Sequence, residues 1–573
     1  MATTQNRSLW RAVRRGVSLA FIQATEWTLR LAGRLGPYGV LKLDISGDLA
    51  EEESEQRLLG LLRLPADDYL SLITLLRWAR DDPRVHGVLI RCDRVDTNWA
   101  RLQGLRRGIA RLRQAGKRVW VHLDGAGVHE YYLASAAERI SLTPAATLDI
   151  AGLSSEALFL LDALEKLGIR ADIVQMGRYK SAGEIFTRRE MSPAHREMLE
   201  SLLDDLYGQL VDAVAAGRDL EPGKVRDIFD RGPFLAREAL EDRLVDELAY
   251  EDEVEERLIA ACDDAKVIAR RDYVRRRARE VRREVVRRGH GTLAVLHISG
   301  TIKGGESVPG PEGVSAAGAK SVAVALKEVR ERDDVRALVV RVASPGGSGL
   351  ASDLIWRAIV RTRERKPVVV SCGDVAASGG YYVALGGEPL FAEPGTITGS
   401  IGVIAGKANL RGLYDRVGIT KQLVSRGKHA GLYSDYVPLG EEERARIQAE
   451  AEQFYEGFVE KVASARRLSP EAAAAAAEGR VWTGRQAWTR GLVDQLGGFE
   501  EALEAAKNLI GVPLDEAIAV ERFPRPRRLW RLSLDVNWPP GSRLAEVIRL
   551  FANVEFIARE RVWALFPFSL RFF

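Results

Sequence analysis

Ser378 stands between small residues in the glycine-rich stretch GDVAASGGYYVAL (373–385), which follows a predicted strand and opens a predicted helix. At a helix N-terminus the unpaired backbone N–H groups and the helix dipole favour negative charge. Gly379, the next residue, offers its N–H to a developing oxyanion with no side chain in the way. The pattern is typical of a serine nucleophile with an oxyanion donor beside it, although close packing of a helix on a strand would also use glycines there.

Two more glycine-rich loops follow predicted strands in the same half of the chain. In RVASPGGSGLAS (341–352), a tight turn at Ser344–Pro345–Gly346–Gly347 lets a backbone N–H approach a reacting oxygen with no side chain in the way. The loop GTITGSIGV (395–403) supplies a further hydroxyl, Ser400. Either glycine motif alone is compatible with an ordinary turn. Because strand ends are where such sheets present reactive groups, the three loops together favour an acyl-transfer site.

The elements that must position these loops occur twice in the chain, at an offset of about 250 residues. VLKLDISG (40–47) recurs as LAVLHISG (293–300). Further on, GKRVWVHLDGAGVHEYYLAS (116–135) matches RKPVVVSCGDVAASGGYYVAL (365–385), with the two Tyr-Tyr pairs aligned. The order of the matching segments is the same in both halves, which indicates a tandem duplication.

Each half alternates short aliphatic runs with helix-length amphipathic segments, a pattern that predicts an α/β repeat with buried, mostly parallel strands. A long helix is predicted later in each half, over 193–217 and 441–466. The aliphatic runs are 88–91, 118–123, 337–342 and 367–371, and the helical segments between them are 101–115 and 351–364.

The repeats and the composition of the remaining segments divide the chain into five predicted regions. They are an amphipathic N-terminal segment (1–35), a first repeat (36–262), an arginine-rich linker (263–291), a second repeat (292–515) and an aromatic and basic C-terminal extension (516–573). The linker favours a solvated helix, with acidic lipid headgroups as the functional alternative and nucleic acid the weaker one, since no aromatic platform accompanies its arginines.

Composition excludes several classes of function. The chain has 573 residues, 46% of them hydrophobic, and a formal net charge of +4, which is too small for its length to indicate a nucleic-acid partner. Its three cysteines are scattered, whereas a disulfide framework or a zinc site would need them paired at short spacing. We therefore expect no metal, no cofactor and no structural disulfide.

Both termini carry segments suited to a lipid–water boundary. The apolar run GVSLAFI (16–22) follows several arginines but is well short of the roughly 20 residues that span a bilayer. Residues 8–34 therefore favour an amphipathic helix on a membrane or on the protein, with a marginal anchor or a mobile tail as alternatives. The stretch from about 520 to the end is rich in Trp, Phe and Arg and suits either a membrane surface or packing on the protein.

The three loops, the duplication and one first-half segment together resemble the signal peptide peptidase A (SppA) family in its long, duplicated form. The motifs that carry the resemblance are SPGGS (344–348), ASGGYY (377–382), TGSIG (398–402) and GRYKSAGEIFTRREMSP (177–193). The resemblance covers roughly residues 36–515. It implies a ClpP/crotonase-like α/β fold and a peptidase of the bacterial inner membrane that degrades cleaved signal peptides, although the short apolar run puts integral anchoring in doubt.

The resemblance also implies roles for individual residues. The nucleophile falls on Ser378, the general base on Lys180, the oxyanion donors on Gly346 and Gly379, and a serine that orients the lysine on Ser400. No Asp–His pair accompanies the serine in the sequence, so lysine has to take the proton. A free lysine has a pKa of about 10.4, and a base that works near neutral pH needs a dry pocket that lowers it.

The alignment of the two halves supports these roles independently. The first half lacks the nucleophile, the oxyanion turn and the orienting hydroxyl, whereas the second half lacks the lysine. One composite site shared by two contacting repeats produces this complementary pattern. The aligned pairs are Ser378 with Val128, Gly379 with His129, Gly346 with Asp96, Ser400 with Ile150, and Lys180 with Ala430.

The sequence thus predicts a serine endopeptidase that acts on short hydrophobic peptides through an acyl-enzyme. Two alternatives stay open, a crotonase-type acyl-CoA enzyme and a non-enzymatic membrane scaffold. The expected partners of the chain are hydrophobic peptides, a membrane surface and further copies of the same chain. The copies are expected to form a ring, possibly a tetramer, and nucleic acid is not an expected partner. Contact between the repeats can occur inside one chain or between chains, and covalent linkage favours one chain.

Overall fold

The computed structural model describes residues 39–51, 68–310, 313–524 and 562–565, in which the chain forms two compact units. Unit 1 comprises the described residues up to 152, then 210–293 and 507–521, and unit 2 comprises 153–209, 294–506 and the described residues from 522 on. The compact units therefore divide the chain differently from the sequence repeats, because 153–209, from the first repeat, belong to unit 2. The predicted segment 1–35 and most of 516–573 lie outside the described residues.

Unit 1 is built on a parallel sheet of six described strands in the order β10-β1-β2-β3-β5-β9. A smaller sheet pairs β4, β6 and β8. The strands of unit 1, numbered in chain order through the whole chain, are β1 (Val40–Asp48), β2 (Gly87–Asp96), β3 (Arg118–Leu123), β4 (Ala126–Gly127), β5 (Arg139–Leu142), β6 (Thr147–Asp149), β8 (Phe234–Leu235), β9 (Glu247–Leu248) and β10 (Val267–Ala269).

Unit 2 contains two sheets. One has the path β21-β19-β17-β15-β11, and the other has the order β13-β14-β12-β16-β24-β20-β7. The remaining described strands of the chain, of which β11 and β23 each have residues in both units, are β7 (Arg170–Met176), β11 (Thr292–Ser299), β12 (Thr301–Lys303), β13 (Val308–Gly310), β14 (Gly313–Gly318), β15 (Val335–Ser344), β16 (Gly346–Ser348), β17 (Val368–Ala377), β18 (Leu390–Ala392), β19 (Ile397–Gly399), β20 (Val403–Asn409), β21 (Val481–Thr483), β22 (Gln495–Leu496), β23 (Ala519–Phe523) and β24 (Val562–Leu565).

The described helices include the helix-length amphipathic segments predicted in the two repeats. They are α1 (Tyr69–Asp81), α2 (Trp99–Gln114), α3 (Val128–Ala134), α4 (Leu161–Leu167), α5 (Glu184–Thr187), α6 (Pro193–Arg218), α7 (Pro222–Phe229), α8 (Ala236–Glu241), α9 (Glu251–Ala261), α10 (Arg270–Arg288), α11 (Ala319–Glu331), α12 (Gly349–Arg363), α13 (Gly379–Ala384), α14 (Arg411–Arg416), α15 (Glu441–Arg466), α16 (Pro470–Ala476), α17 (Gly484–Thr489) and α18 (Phe499–Leu509), with one 3-10 turn at Ser181–Gly183.

The core of unit 2 explains why β15 and β17 are nearly continuous aliphatic runs. Both are parallel strands buried on both faces, and Leu338, Val340 and Val370 are fully buried in one cluster with Ile355 and Ile359 of α12. Burying one such side chain stabilises the fold by about 1.5–3 kcal/mol. The predicted α/β class, the parallel pairing of the aliphatic runs and both long helices are confirmed.

Matching side-chain contacts make the duplication visible in three dimensions. In unit 1 Arg218 pairs with Asp246 at 2.7 Å, and in unit 2 Arg466 pairs with Asp494 at 2.5 Å. Each aspartate also accepts a backbone N–H at 2.7 Å from one of the first two residues of a short strand, Ile140 of β5 and Leu390 of β18 respectively. The same scaffold has therefore been retained in both units while their glycine-rich loops diverged.

The arginine-rich linker forms α10, a helix on which Tyr273 is the buried residue. Among the described residues, no helix is both long and apolar enough to cross a lipid bilayer.

Candidate active site

Ser378 lies at a sharp turn between β17, which ends at Ala377, and α13, which begins at Gly379. Its backbone has φ 56° and ψ −117°, a conformation that a residue with a Cβ rarely adopts. The turn is held by two backbone hydrogen bonds of 2.8 Å, because the Ser378 N–H donates to the carbonyl of Gly399 and the Ser378 carbonyl accepts from Tyr382. The serine is thus presented by a strained backbone that neighbouring elements keep in place.

Lys180 meets this serine inside unit 2, although 198 residues separate the two in sequence. Its Nζ lies 2.7 Å from Ser378 Oγ. The same nitrogen lies 3.0 Å from both the carbonyl oxygen and the Oγ of Ser400. The structure therefore brings together, in one chain, the lysine of the first repeat and two hydroxyls of the second.

The environment of Lys180 disfavours a positive charge. The side chain is 1% exposed, and the atoms it contacts are hydroxyl and carbonyl oxygens rather than carboxylates. Burial lowers the pKa of Lys180 well below its ordinary value of 10.5, since the buried ammonium loses its hydration. A lysine whose pKa is lowered keeps its lone pair free at lower pH than a solvated lysine does, and proton abstraction from a hydroxyl requires that lone pair.

Pairing between β7 and β20 carries Lys180 to the second repeat. The two strands run antiparallel over seven residue pairs, from Val403 opposite Met176 to Asn409 opposite Arg170. Lys180 follows the end of β7 and Ser400 precedes the start of β20, so the antiparallel register places them at the same end of the ladder. The sequence alignment of the halves gave no sign of this pairing.

Two glycines that the sequence analysis did not single out let the lysine segment approach the chain near residue 479. A Cβ on Gly479, at φ +74°, would lie 2.6 Å from the Lys180 Cβ, and one on Gly177 would lie 2.4 Å from the carbonyl carbon of Glu478. The Tyr179 N–H donates to the Glu478 carbonyl at 2.8 Å across this contact. No local signal identifies such glycines, because the atoms they make room for come from the other end of the chain.

If Lys180 is the general base, as the sequence predicts, replacing Gly479 with Ala should reduce turnover by about 10²-fold, because a shift of about 1 Å in a catalytic group has effects of that size. The added methyl has to displace the Lys180 backbone, whereas the rest of unit 2 keeps its packing. Gly418→Ala is the matched control, since Gly418 has nearly the same φ, +76°, and nothing within 4 Å of an added Cβ. Equal kcat values for the two variants would show that the close approach does not position Lys180.

The two residues predicted to be oxyanion donors lie on elements that adjoin Ser378. Gly379 is the first residue of α13, where backbone N–H groups have no partner within the helix. Gly346, expected in a turn, begins the short strand β16 with φ +99°, and its N–H donates to Ser344 Oγ at 3.1 Å. A Cβ on Gly380 would lie 2.3 Å from the Ser344 carbonyl, so the glycines of α13 also serve close packing. The oxyanion roles of Gly346 and Gly379 stay predictions.

The corresponding region of unit 1 is filled by a carboxylate. Glu130, which follows the residues aligned with Ser378 and Gly379, is buried and accepts the backbone N–H groups of Gly127 at 2.9 Å and of Val95. His129 Nδ1 lies 3.0 Å from the Val95 carbonyl oxygen. Backbone donors at this end of the unit 1 sheet are therefore satisfied by the chain itself, which leaves them unsuited to a reacting oxygen.

Comparison with known proteins places these observations in a family. A model of Peptidase family S49 matches the chain twice, over residues 111–263 and 361–513, which confirms the duplication. "Serine protease SPPA, chloroplastic" from Arabidopsis thaliana is 34% identical over 453 residues, covering 78% of this chain and 66% of the relative. "Protease 4" from Salmonella typhi is 31% identical over 497 residues, covering 82% and 78% of the two chains.

A second "Protease 4", from Haemophilus influenzae, is 30% identical over 505 residues, covering 84% of this chain and 80% of the relative. Among solved structures, a ClpP1 mutant from Listeria monocytogenes aligns with 36% of this chain and 94% of its own length, at 18% identity and a TM-score of 0.25.

Proposed function

Because the chain belongs to Peptidase family S49, and is therefore a serine peptidase, we propose that it cleaves peptides with Ser378 as nucleophile and Lys180 as general base. The observation that carries the proposal is the 2.7 Å approach of Lys180 Nζ to Ser378 Oγ in a buried setting. A neutral amine has two N–H groups and one lone pair. The two N–H groups match the two oxygens of Ser400, which leaves the lone pair for the Ser378 hydroxyl.

In the proposed reaction the Ser378 hydroxyl gives its proton to Lys180 Nζ as Oγ attacks the peptide carbonyl. The carbonyl oxygen becomes an oxyanion, which the backbone N–H groups of Gly379 and Gly346 stabilise. The Gly346 N–H leaves Ser344 Oγ to do so. Lys180 then returns the proton to the departing amine as the C–N bond breaks, and an acyl-enzyme on Ser378 remains. Water, activated by the same lysine, attacks the ester, releases the acid and restores the serine.

The proposed substrates are short, extended, hydrophobic peptides such as cleaved signal peptides. An apolar peptide seated over the dyad would exclude water, and this keeps the ammonium form of Lys180 unfavourable during turnover. A crotonase-type acyl-CoA reaction needs no nucleophile where Ser378 lies, and a scaffold needs no buried amine 2.7 Å from a hydroxyl. Neither alternative therefore requires the contact between Lys180 and Ser378.

Reaction with a fluorophosphonate tests the proposal. The probe should label Ser378, identified by mass spectrometry of the modified peptide, and should abolish hydrolysis of a fluorogenic hydrophobic peptide. Labelling of a different serine, or full hydrolysis after Ser378 has been modified, would overturn the assignment.

We further propose that the enzyme works as a homo-oligomer on a membrane surface. The support is the SppA resemblance together with α10, whose arginines lie on a helix with Tyr273 as its buried residue. Arginines near anionic lipid contribute about 1 kcal/mol each, and salt screens them. Sedimentation with phosphatidylserine vesicles should carry the protein down at low salt and release it at high salt. Equal sedimentation with neutral vesicles would contradict the electrostatic part of this proposal.

A further inference from the structure

The strand β24, Val562–Leu565, lies between two strands that adjoin the candidate active site. It runs antiparallel to β16, with Leu565 opposite Gly346 and Ala564 opposite Gly347. On its other side it runs antiparallel to β20, with Trp563 opposite Ile404. Without β24 the two neighbours would each present an unpaired backbone edge, and such edges are where extended peptides add to a sheet.

The two strands that flank β24 each contain or adjoin a residue with a role in the proposed reaction. Gly346, a proposed oxyanion donor, is itself the first residue of β16, and Ser400 lies three residues before β20 begins. The strand also lies beside α13, the helix that Ser378 precedes. A peptide whose carbonyl is to reach Ser378 and the Gly346 N–H has to lie along this same edge, so β24 stands where the substrate backbone would run.

Two further observations agree with a covered site. Ser378 is 0% exposed and Lys180 is 1% exposed, although a nucleophile has to be reachable by the peptide that it cleaves. The sequence of β24, Val-Trp-Ala-Leu, is a short apolar stretch of the same chemical class as the proposed substrate. The segment between β16 and β20 is therefore extended and apolar, like the peptides proposed as substrates.

We infer that β24 is an autoinhibitory strand, which fills the peptide position between β16 and β20 and has to leave before a substrate can bind. This inference rests on the proposed function, because it needs a peptidase site to inhibit. A tethered strand competes at a high effective concentration that free peptides in dilute solution do not match. If the site is open in about a tenth of the molecules or fewer, the apparent affinity for substrate falls by the same factor.

The first test changes the strand within the full chain. Ala564→Pro removes a backbone N–H and introduces a ring that a strand paired on both sides does not accommodate. It should raise kcat/KM for a fluorogenic hydrophobic peptide by about 10-fold or more, mainly through KM. Ala564→Val is the matched control, because it keeps every N–H and a good strand former, and should leave kcat/KM within about 2-fold of the unaltered chain.

A chain that ends at Arg561 provides a second variant, with a chain that ends at Phe568 as its control because it keeps β24. The shorter chain should show the same gain, and the longer one should not. An acetylated and amidated Val-Trp-Ala-Leu peptide should then inhibit the shorter chain competitively, whereas the same peptide N-methylated at Ala should not. Its methyl group removes the N–H that the ladder needs.

The outcomes separate this inference from the proposed function. Fluorophosphonate labelling of Ser378 with equal kcat/KM in all of these chains would overturn autoinhibition and leave the peptidase assignment intact. Loss of hydrolysis from a folded Ala564→Pro chain would also overturn it, since β24 would then be part of the working site. Cleavage of the chain within 562–565 during incubation would make the strand a substrate and not an inhibitor. Absence of both labelling and hydrolysis in every chain would remove the proposed function itself.

Discussion

The Ser378→Ala variant should lose peptide hydrolysis by at least about 10⁴-fold while it remains folded, because Ser378 is the proposed nucleophile and its removal would remove the covalent step itself. The change deletes one hydroxyl and retains the Cβ, so the turn from β17 into α13 keeps its backbone hydrogen bonds. Lys180 keeps both contacts with Ser400. The expected cost in the free energy of unfolding is that of one hydrogen bond, about 1 kcal/mol. Steady-state kinetics and urea unfolding measure the two effects.

Ser352→Ala is the matched control for this variant. Ser352 is also a fully buried serine of unit 2, and its hydroxyl donates at 2.9 Å to the carbonyl of Ser348, the residue that precedes α12. The control should lose a similar amount of stability and keep its turnover. A Ser378→Ala enzyme that retains more than about 1% of the activity would require another nucleophile, because water attack without a covalent intermediate is far slower.

Lys180→Met and Lys180→Arg should both abolish turnover, by about 10³-fold or more, because neither side chain can accept a proton near neutral pH. Methionine has no basic nitrogen, and arginine stays charged. Lys366→Met is the matched control, since Lys366 is another lysine of unit 2 whose pKa burial lowers, and its Nζ donates to the Val329 carbonyl at 2.7 Å. Activity in Lys180→Arg equal to that of the control would identify a different base.

The pH dependence of the unaltered enzyme follows from the lowered pKa of Lys180. The proposed reaction needs the neutral amine, so kcat/KM should rise with pH through a single apparent pKa that lies well below the value of about 10.4 of free lysine. A rise that centres near pH 6.5 and disappears on replacing one histidine would contradict the Ser–Lys assignment.

The free energy of unfolding should also rise with pH. Above the lowered pKa of Lys180 the folded chain has released a proton that the unfolded chain still binds, so the unfolding free energy rises with pH up to about 10.4. The slope contributed by this residue is about 1.4 kcal/mol per pH unit, and Lys180→Met should lack it. Urea unfolding of both chains across this range measures the difference.

Mixing Ser378→Ala chains with Lys180→Ala chains tests whether the Lys180 and Ser378 of one site come from the same chain or from two chains. Lys180 and Ser378 meet within one chain, so every site in a mixed form of the proposed oligomer would still lack one of them, and no activity should return. Recovery of about a quarter of the activity after subunit exchange, the value for random pairing of equal amounts of two chains, would mean that sites form between chains.

Local sequence patterns were sufficient to predict much of the fold. The aliphatic runs around Val340 and Val370 identified buried parallel strands, because a strand covered on both faces needs apolar residues throughout. The long helices of the two halves followed from periodicity in the same way, and the repeated segments identified the duplication. The turn expected at Gly346 became a short strand, because β12 on one side and β24 on the other supply it with partners from distant parts of the chain.

The sequence by itself determined the residue types that could perform acyl transfer and showed that the lysine and the serines were divided between two repeats. Only the tertiary structure decided that they meet within one compact unit, because that depends on the pairing of β7 with β20, a contact between segments more than 200 residues apart. The lowered pKa of Lys180 likewise comes from burial among residues remote in sequence. The place of β24 in the sheet arises in the same way, because backbone pairing between distant strands leaves no mark in a local pattern.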